Sequence, residues 1–228
     1  MRPAVSCLVL ILLAGVFGSG QEKLPVTHVD RFLEAADTPL VSYRAIRRLE
    51  AATRNGRMKA SLTVMTSLDP DHGFQFEILE ESGSGLIRSK VLRGALEAEQ
   101  RARSSGEMAR SALSRLNYEF GEPEATEPGF VRVGIRPRRS DTMLVIGSIL
   151  LTDDQADLVS VEGRLVKRPS FWTRRVEVVR RYARLAGIRV PVSMESTADV
   201  LLAGRSTFSM RYEYQAINSV VGPEVSPR

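Results

Sequence analysis

Residues 161–191 read VEGRLVKRPSFWTRRVEVVRRYARLAGIRVP, and the way this stretch folds decides the architecture of the whole chain. A helix would place Val179 on one face with Trp172 and Val176, whereas a strand would place Val178 there instead. The apolar spacing alone therefore fits both structures. The run is rich in valine, and β-branched side chains pack better in strands than in helices, so its composition favours a strand.

A turn in the same stretch strengthens the strand interpretation. Ala186-Gly187 separates two runs in which apolar and polar residues alternate, and Pro191 is tolerated near a strand end or on an edge. We therefore predict a hairpin in which residues 173–184 pair with residues 188–200. The flanking segments show the same alternation, so the hairpin belongs to a broad antiparallel sheet.

The N-terminal stretch 1–20 has the pattern of a secretory signal peptide. An apolar run over 4–17 follows a basic start, and Gly18 and Gly20 supply the small residues for a cut before Gln21. The run is short for a membrane-spanning helix, which needs about 20 apolar residues. An uncleaved N-terminal anchor is the alternative. We predict that the mature chain begins at Gln21 and that the protein is periplasmic.

The composition fits that compartment. Cys7 is the only cysteine and lies within the predicted signal peptide, so the mature chain would have no disulfide, thiolate nucleophile or cysteine metal site. The chain is 43% hydrophobic, which is enough for a sizeable core, and its formal net charge is +5. Basic clusters at 136–139, 173–175 and 179–184 face either solvent, on an outer sheet surface, or anionic lipid headgroups or an acidic partner. The predicted export excludes nucleic acid as a partner.

The mature chain predicts one mostly β (α+β) domain over 21–228, with a helical insertion over 86–116. The sheet begins with three strands, and Asn55-Gly56 is the hairpin signal between the first two. About six more strands follow a Pro- and Gly-rich loop at 121–129, counted by alternation. The helices expected are a first one after the N-cap Thr27, a longer one over 86–102 and a shorter one over 106–116.

Residues for catalysis or metal binding are scarce. The only histidines are His28 and His72, and the run 69–72 (DPDH) is either a metal ligand set or, more commonly, a polar hairpin turn. The sequence contains no Gly-x-Ser-x-Gly elbow and no phosphate-binding glycine loop. We therefore expect no enzyme activity, no cofactor and no metal.

The chain resembles a group of bacterial outer-membrane lipoprotein-sorting proteins. The resemblance is carried by VEGRLVKRPSFW and VVRRYARLAGIRVPVSMESTADVLLAGRSTFSMRYEY, and earlier by KVLRGALEAEQRA and LNYEF, over residues 40–216. These proteins belong to the LolA/LolB-like superfamily, which also includes periplasmic lipid carriers and envelope-stress sensors. The resemblance implies a curved antiparallel sheet, shaped like an unclosed barrel, whose hollow is partly capped by helices. The Arg-Pro-Gly-x-Phe-Arg-Trp motif of the classical lipoprotein carrier is absent, so no functional arginine is carried over.

Two functions follow as expectations. The first is a periplasmic carrier that binds a lipid or lipoprotein acyl chain in the apolar hollow, with an envelope protein or a transient membrane contact as further partners. The second is a non-enzymatic envelope sensor or scaffold with the same fold and a filled core. For the carrier, the residues expected to line the hollow share the more apolar side of the early strands, of the last strand and of the helix between them: Leu62, Val64, Phe74, Phe76, Ile78, Leu92, Leu96, Phe208, Met210 and Tyr212.

Overall fold

The computed structural model describes residues 27–35, 37–104, 107–168, 173–201, 204–218 and 220–221. The predicted signal peptide and Trp172 lie outside the described residues. The strands are β1 Tyr43–Thr53, β2 Met58–Asp69, β3 Gly73–Gly83, β4 Tyr118–Ala125, β5 Phe130–Pro137, β6 Val145–Thr152, β7 Leu158–Leu165, β8 Thr173–Leu185, β9 Ile188–Val200, β10 Gly204–Ile217 and the short β11 Val220–Val221.

All of these strands belong to one antiparallel sheet. Neighbours in sequence pair with each other from β1 to β3 and from β4 to β10, and β10 then returns to pair with β1. The edges are β3 and β4, so the sheet remains unclosed. The prediction of a mostly β protein with an unclosed antiparallel sheet and a few helices is confirmed.

The opening stretch forms strands, as predicted. β8 pairs with β9 along its whole length, from Thr173 opposite Val200 to Leu185 opposite Ile188. Ala186 and Gly187 both have positive φ angles, of 48° and 76°, which is the backbone of a two-residue hairpin turn. The valines of β8 therefore pack within a sheet.

Helical segments accompany the sheet in the described part of the chain. The helix α1 spans His28–Glu34 and begins at the N-cap Thr27 that the sequence predicts. Thr27 exchanges hydrogen bonds with Asp30 in a capping box. The predicted longer helix is also confirmed: α2 (Gly85–Ile87), a π-helical turn (Arg88–Arg93) and α3 (Gly94–Ser104) follow each other without a break. We call this run, 85–104, the covering segment. Among the described residues, no helix is long and apolar enough to cross a bilayer.

Two sequence predictions are wrong. Residues 121–125 belong to β4 rather than to a loop, because a proline on an edge strand costs no ladder hydrogen bond. The predicted helix over 106–116 is reduced to a short 3₁₀ helix, Glu107–Ser111. The chain after it turns sharply, and the Asn117 side-chain amide holds that turn by donating to the carbonyl oxygens of Ala109 and Ala112.

The core lies on one face of the sheet, which we call the inner face. One hydrophobic cluster lies between the covering segment and the strands β1–β3 and β10. A second cluster joins α1 to β4–β7. The strands β8 and β9 lie between these two clusters in the order of the sheet.

Candidate functional site

The hydrophobic cluster between the covering segment and β1–β3 and β10 contains all ten residues expected to line a hollow. Six are buried: Leu62, Val64, Phe74, Leu92, Leu96 and Met210. The other four, Phe76, Ile78, Phe208 and Tyr212, are partly buried and pack against the same cluster. The structure therefore brings the ten residues together in one cluster, in which Leu92 and Leu96 of the covering segment pack on the buried residues of the sheet.

A buried arginine lies in the middle of this apolar cluster. Arg47 on β1 is 1% exposed, and its Nη1 donates to Glu99 Oε2 of α3 at 2.6 Å. Its Nη2 donates to the Tyr43 hydroxyl, while Arg103 Nε donates to the other oxygen of Glu99 at 2.9 Å. The Arg47–Glu99 ion pair therefore joins strand β1 directly to α3 of the covering segment.

Aromatic rings surround the same guanidinium. Its central carbon lies 4.5 Å from the ring centre of Tyr212, 5.1 Å from that of Phe74 and 5.7 Å from that of Tyr43. Cations are attracted to ring faces at these distances, most strongly where water is excluded. The rings therefore help to hold a charge that would otherwise be costly to bury.

Burial and charge shift the pKa values of these groups in opposite directions. Burial alone would raise the pKa of Glu99, but the hydrogen bond and charge of Arg47 outweigh it and lower the pKa below its usual range. Burial raises the pKa of Tyr212 to about 12, although the charge of Arg47 opposes the rise. At neutral pH this site therefore holds an ionised Arg47–Glu99 pair among neutral tyrosines.

Sequence reasoning missed this pair. Arg47 occupies an inward position on β1, between Ala45 and Leu49, in a strand whose alternate residues are apolar. A charged residue at an inward position of a strand is the one feature of the sequence that indicates a buried ion pair, because buried charges require a partner. The partner, Glu99, lies 52 positions away on the covering segment, and no local pattern indicates it.

The centre of the inner face, on β8–β10, carries several half-buried side chains beside the fully buried Val178 and Met210. We call this surface the central strip: Val176, Arg180, Met194, Ser196 and Phe208. The cross-strand register places Arg180 between Val161 of one cluster and Met194, which packs against the other. The covering segment lies on β1–β3 and α1 on β4, and α1 also reaches β9, where the Arg189 guanidinium lies 5.0 Å from the centre of the Phe32 ring.

Arg180 is the polar feature of this strip. Its guanidinium has no hydrogen bond and no ion pair with any residue that the structure describes. Its charge nevertheless acts on two tyrosines, Tyr118 and Tyr212, which belong to the two different clusters. The strip thus combines apolar side chains with one unpartnered cation, an arrangement that can hold an apolar chain with an anionic group at one end.

The turn with the sequence DPDH is held by its own first aspartate. Asp69 Oδ1 accepts hydrogen bonds from the backbone N–H groups of Asp71 and His72 and lies 3.0 Å from His72 Nδ1. Within the described part of the chain, no group of three or more metal-ligating side chains is present. The geometry is that of a polar hairpin turn.

Comparison with known proteins gives two distant structural neighbours. No protein-family model and no curated protein sequence matches the chain. A LolA superfamily protein from Nitrosomonas europaea has 11% identity and a TM-score of 0.35, with 82% of this chain and 90% of that chain covered. A structure described as showing lipid–protein interactions in lipovitellin has 10% identity and a TM-score of 0.32, with 84% of this chain but 26% of that chain covered. Neither neighbour assigns a ligand to this chain.

Proposed function

We propose that the protein is a periplasmic carrier that binds the acyl chain of a lipid or lipoprotein on the inner face of its sheet. The observation that carries this proposal is the central strip, which stays half-buried between two packed clusters. An acyl chain lying there would bury apolar side chains that the fold itself leaves partly open. Export through residues 1–20 belongs to the same proposal.

The entry to the site would lie on the side of β10. Phe208 belongs both to the ten-residue set and to the strip, and the partly buried Tyr212 lies beyond Met210 on the same strand. The buried members, such as Leu62 and Leu92, would form the floor beneath the covering segment. Burying an acyl chain stabilises the complex by about 0.8 kcal/mol for each methylene removed from water.

Arg180 refines the choice of ligand within this proposal. A half-buried guanidinium without a partner favours a carboxylate or phosphate, because hydrogen bonds between charged groups are stronger than neutral ones. The ligand that fits is therefore an anionic amphiphile whose head lies at Arg180 and whose chain follows the strip.

The test compares a fluorescent fatty acid with its methyl ester, which keeps the chain and removes the charge. We expect the wild type to bind the acid more tightly than the ester, and Arg180→Gln to weaken acid binding about tenfold while leaving ester binding unchanged. Arg181→Gln is the matched control, because Arg181 is the next residue, lies on the outer face and pairs with Glu195. It should bind both probes as the wild type does.

The outcomes separate the carrier from its refinement. A wild type that binds neither probe, and from which organic extraction and mass spectrometry recover no lipid, would contradict the carrier. Equal acid binding by Arg180→Gln and Arg181→Gln would contradict only the role of Arg180 in binding an anionic head, and the carrier proposal would stand.

A non-enzymatic envelope sensor or scaffold is the second candidate. It is favoured by the tight filling of the inner face over β1–β3, where Leu92 and Leu96 are fully buried and Arg47 is paired. In that case the inner face is a core throughout, and the protein acts through its outer surface.

A further inference from the structure

The connections between strands differ in charge at the two ends of the sheet. Because the strands alternate in direction, the connections β1–β2, β5–β6, β7–β8 and β9–β10 lie at one end, and the connections β2–β3, β4–β5, β6–β7 and β8–β9 lie at the other. The first end, which we call the basic end, carries Arg54, Arg57, Arg138, Arg139, Lys167 and Arg168 against the single acid Asp141. The opposite connections carry Asp71, Glu127, Asp153, Asp154 and Asp157 and no lysine or arginine.

Many cations of the basic end have no acidic partner. Arg138 and Arg139 are engaged with Glu119 and Asp141. By contrast, no ion pair with a described residue involves Arg54, Arg57, Lys167 or Arg168, or Lys90 on the first turns of the covering segment. Charges left free at one end of a molecule create a local positive potential that attracts anionic surfaces.

Apolar side chains project at the same end. The covering segment begins there, since the Ser84 N–H donates to the Lys59 carbonyl oxygen at 2.8 Å. Leu86, near the start of that segment, is 63% exposed, and Leu116, just before β4, is 87% exposed. Val91 and Val166 are also exposed. Large apolar residues thus stand beside the unpaired cations.

We infer that the basic end docks on the surface of an anionic lipid bilayer. Lys and Arg beside Leu and Val match an interface in which headgroups are negative and acyl chains lie just below. The exposed apolar residues come from three segments: Leu86 and Val91 from the covering segment, Leu116 from the chain before β4 and Val166 from the chain after β7. Separate points can all enter a planar fluid surface, whereas a protein partner would require a matching shape. This inference does not depend on the proposed carrier function.

The experiment measures binding of the full chain to vesicles that contain phosphatidylglycerol and phosphatidylcholine, with phosphatidylcholine alone as the reference. We expect the wild type to prefer the anionic vesicles and to lose that preference as salt is raised. Removing one surface cation weakens such binding about fivefold, so Arg57→Gln/Lys90→Gln/Arg168→Gln should weaken it on the order of a hundredfold. Every variant keeps the apolar stretch 4–17, whose own affinity for lipid is therefore constant.

The matched control removes the same charge elsewhere. Arg44, Arg48 and Arg211 are exposed on the outer face, and Arg44→Gln/Arg48→Gln/Arg211→Gln should bind nearly as the wild type does. Equal losses in the two triple variants would show an effect of net charge alone and overturn the inference, as would a wild type without preference for anionic vesicles.

A second pair of variants tests insertion of the apolar residues. Leu86→Ser should weaken vesicle binding several-fold, whereas Leu185→Ser, at the acidic end, should not. Equal binding by the two variants would contradict insertion of Leu86. Probe binding without vesicles tests the carrier separately.

Discussion

Glu99 is the residue that makes the burial of Arg47 tolerable. It accepts from Arg47 and from Arg103, and its side chain is 20% exposed against 1% for Arg47. Removing the carboxylate would leave an uncompensated cation beneath the covering segment. Leaving a buried cation without its partner is among the most destabilising effects that a single substitution has.

We therefore predict that Glu99→Gln lowers the free energy of unfolding at neutral pH by about 3 kcal/mol. The pKa of Glu99 is lower in the folded than in the unfolded protein, so its contribution is present above the unfolded pKa and is lost as pH falls through the folded value. The wild type should thus lose stability on acidification below about pH 4, and Glu99→Gln should lose less over that range.

Urea denaturation followed by circular dichroism at several pH values measures both effects. Glu97→Gln is the control, because Glu97 is exposed on the same helix and should leave the unfolding curve unchanged. Identical neutral-pH stability of the two variants would mean that the Arg47–Glu99 pair contributes nothing.

At the scale of elements, a pair of glycines shapes the sheet between β6 and β7. Gly147 lies opposite Gly163, and a Cβ added at Gly147 would collide with the backbone of Glu162 and Gly163. The two strands therefore approach more closely than side chains would allow at this point. On the neighbouring strand β5, a Cβ added at Gly134 would meet no atom within 4 Å.

Gly147→Ala should consequently destabilise the protein by about 1–3 kcal/mol, because the strands must separate to admit the methyl group. Gly134→Ala should change stability by less than about 0.5 kcal/mol. Thermal unfolding of the two variants checks the difference. Equal melting temperatures would show that the close approach of β6 and β7 is not required.

Sequence patterns predict elements where local rules govern them. The hairpin of β8 and β9 follows from valine-rich alternation and a Gly turn, and α1 follows from its cap at Thr27. The same rules do not predict β4. Its Pro123 is tolerated because β4 is an edge strand, and the local sequence does not show which strand lies at the edge. The Arg47–Glu99 ion pair is not predicted for a similar reason, because the fold and not the local sequence brings the two residues together.

At the scale of the whole molecule, the inner face has a packed half and a half-open centre. The ten residues expected from the sequence to line a hollow lie in the packed half and at its border. The carrier requires that a ligand enter among these residues, whereas the scaffold requires that they form a permanent core. The difference between a carrier and a scaffold is the difference between these two requirements.

A substitution on the edge strand β3, in the packed half, distinguishes them. Phe76 on β3 faces the cluster and lies 6.4 Å from Phe74 between ring centres, whereas Glu77 is exposed on the opposite face. In a carrier, Phe76→Asp should remain folded and bind a fluorescent fatty acid more weakly, because a carboxylate in an apolar site costs several kcal/mol unless it is neutralised or paired. Glu77→Lys should bind the probe as the wild type does.

Circular dichroism of both variants accompanies the binding measurement, because the two functions predict different failures. If these residues are a permanent core, Phe76→Asp should unfold the protein, because burying the carboxylate costs a large part of the free energy of unfolding. A ligand site would respond by losing affinity while the spectrum stays that of the wild type. Unfolding of Phe76→Asp together with a wild type that binds no probe would therefore contradict the carrier. The protein would then act through its outer surface, as the sensor or scaffold requires.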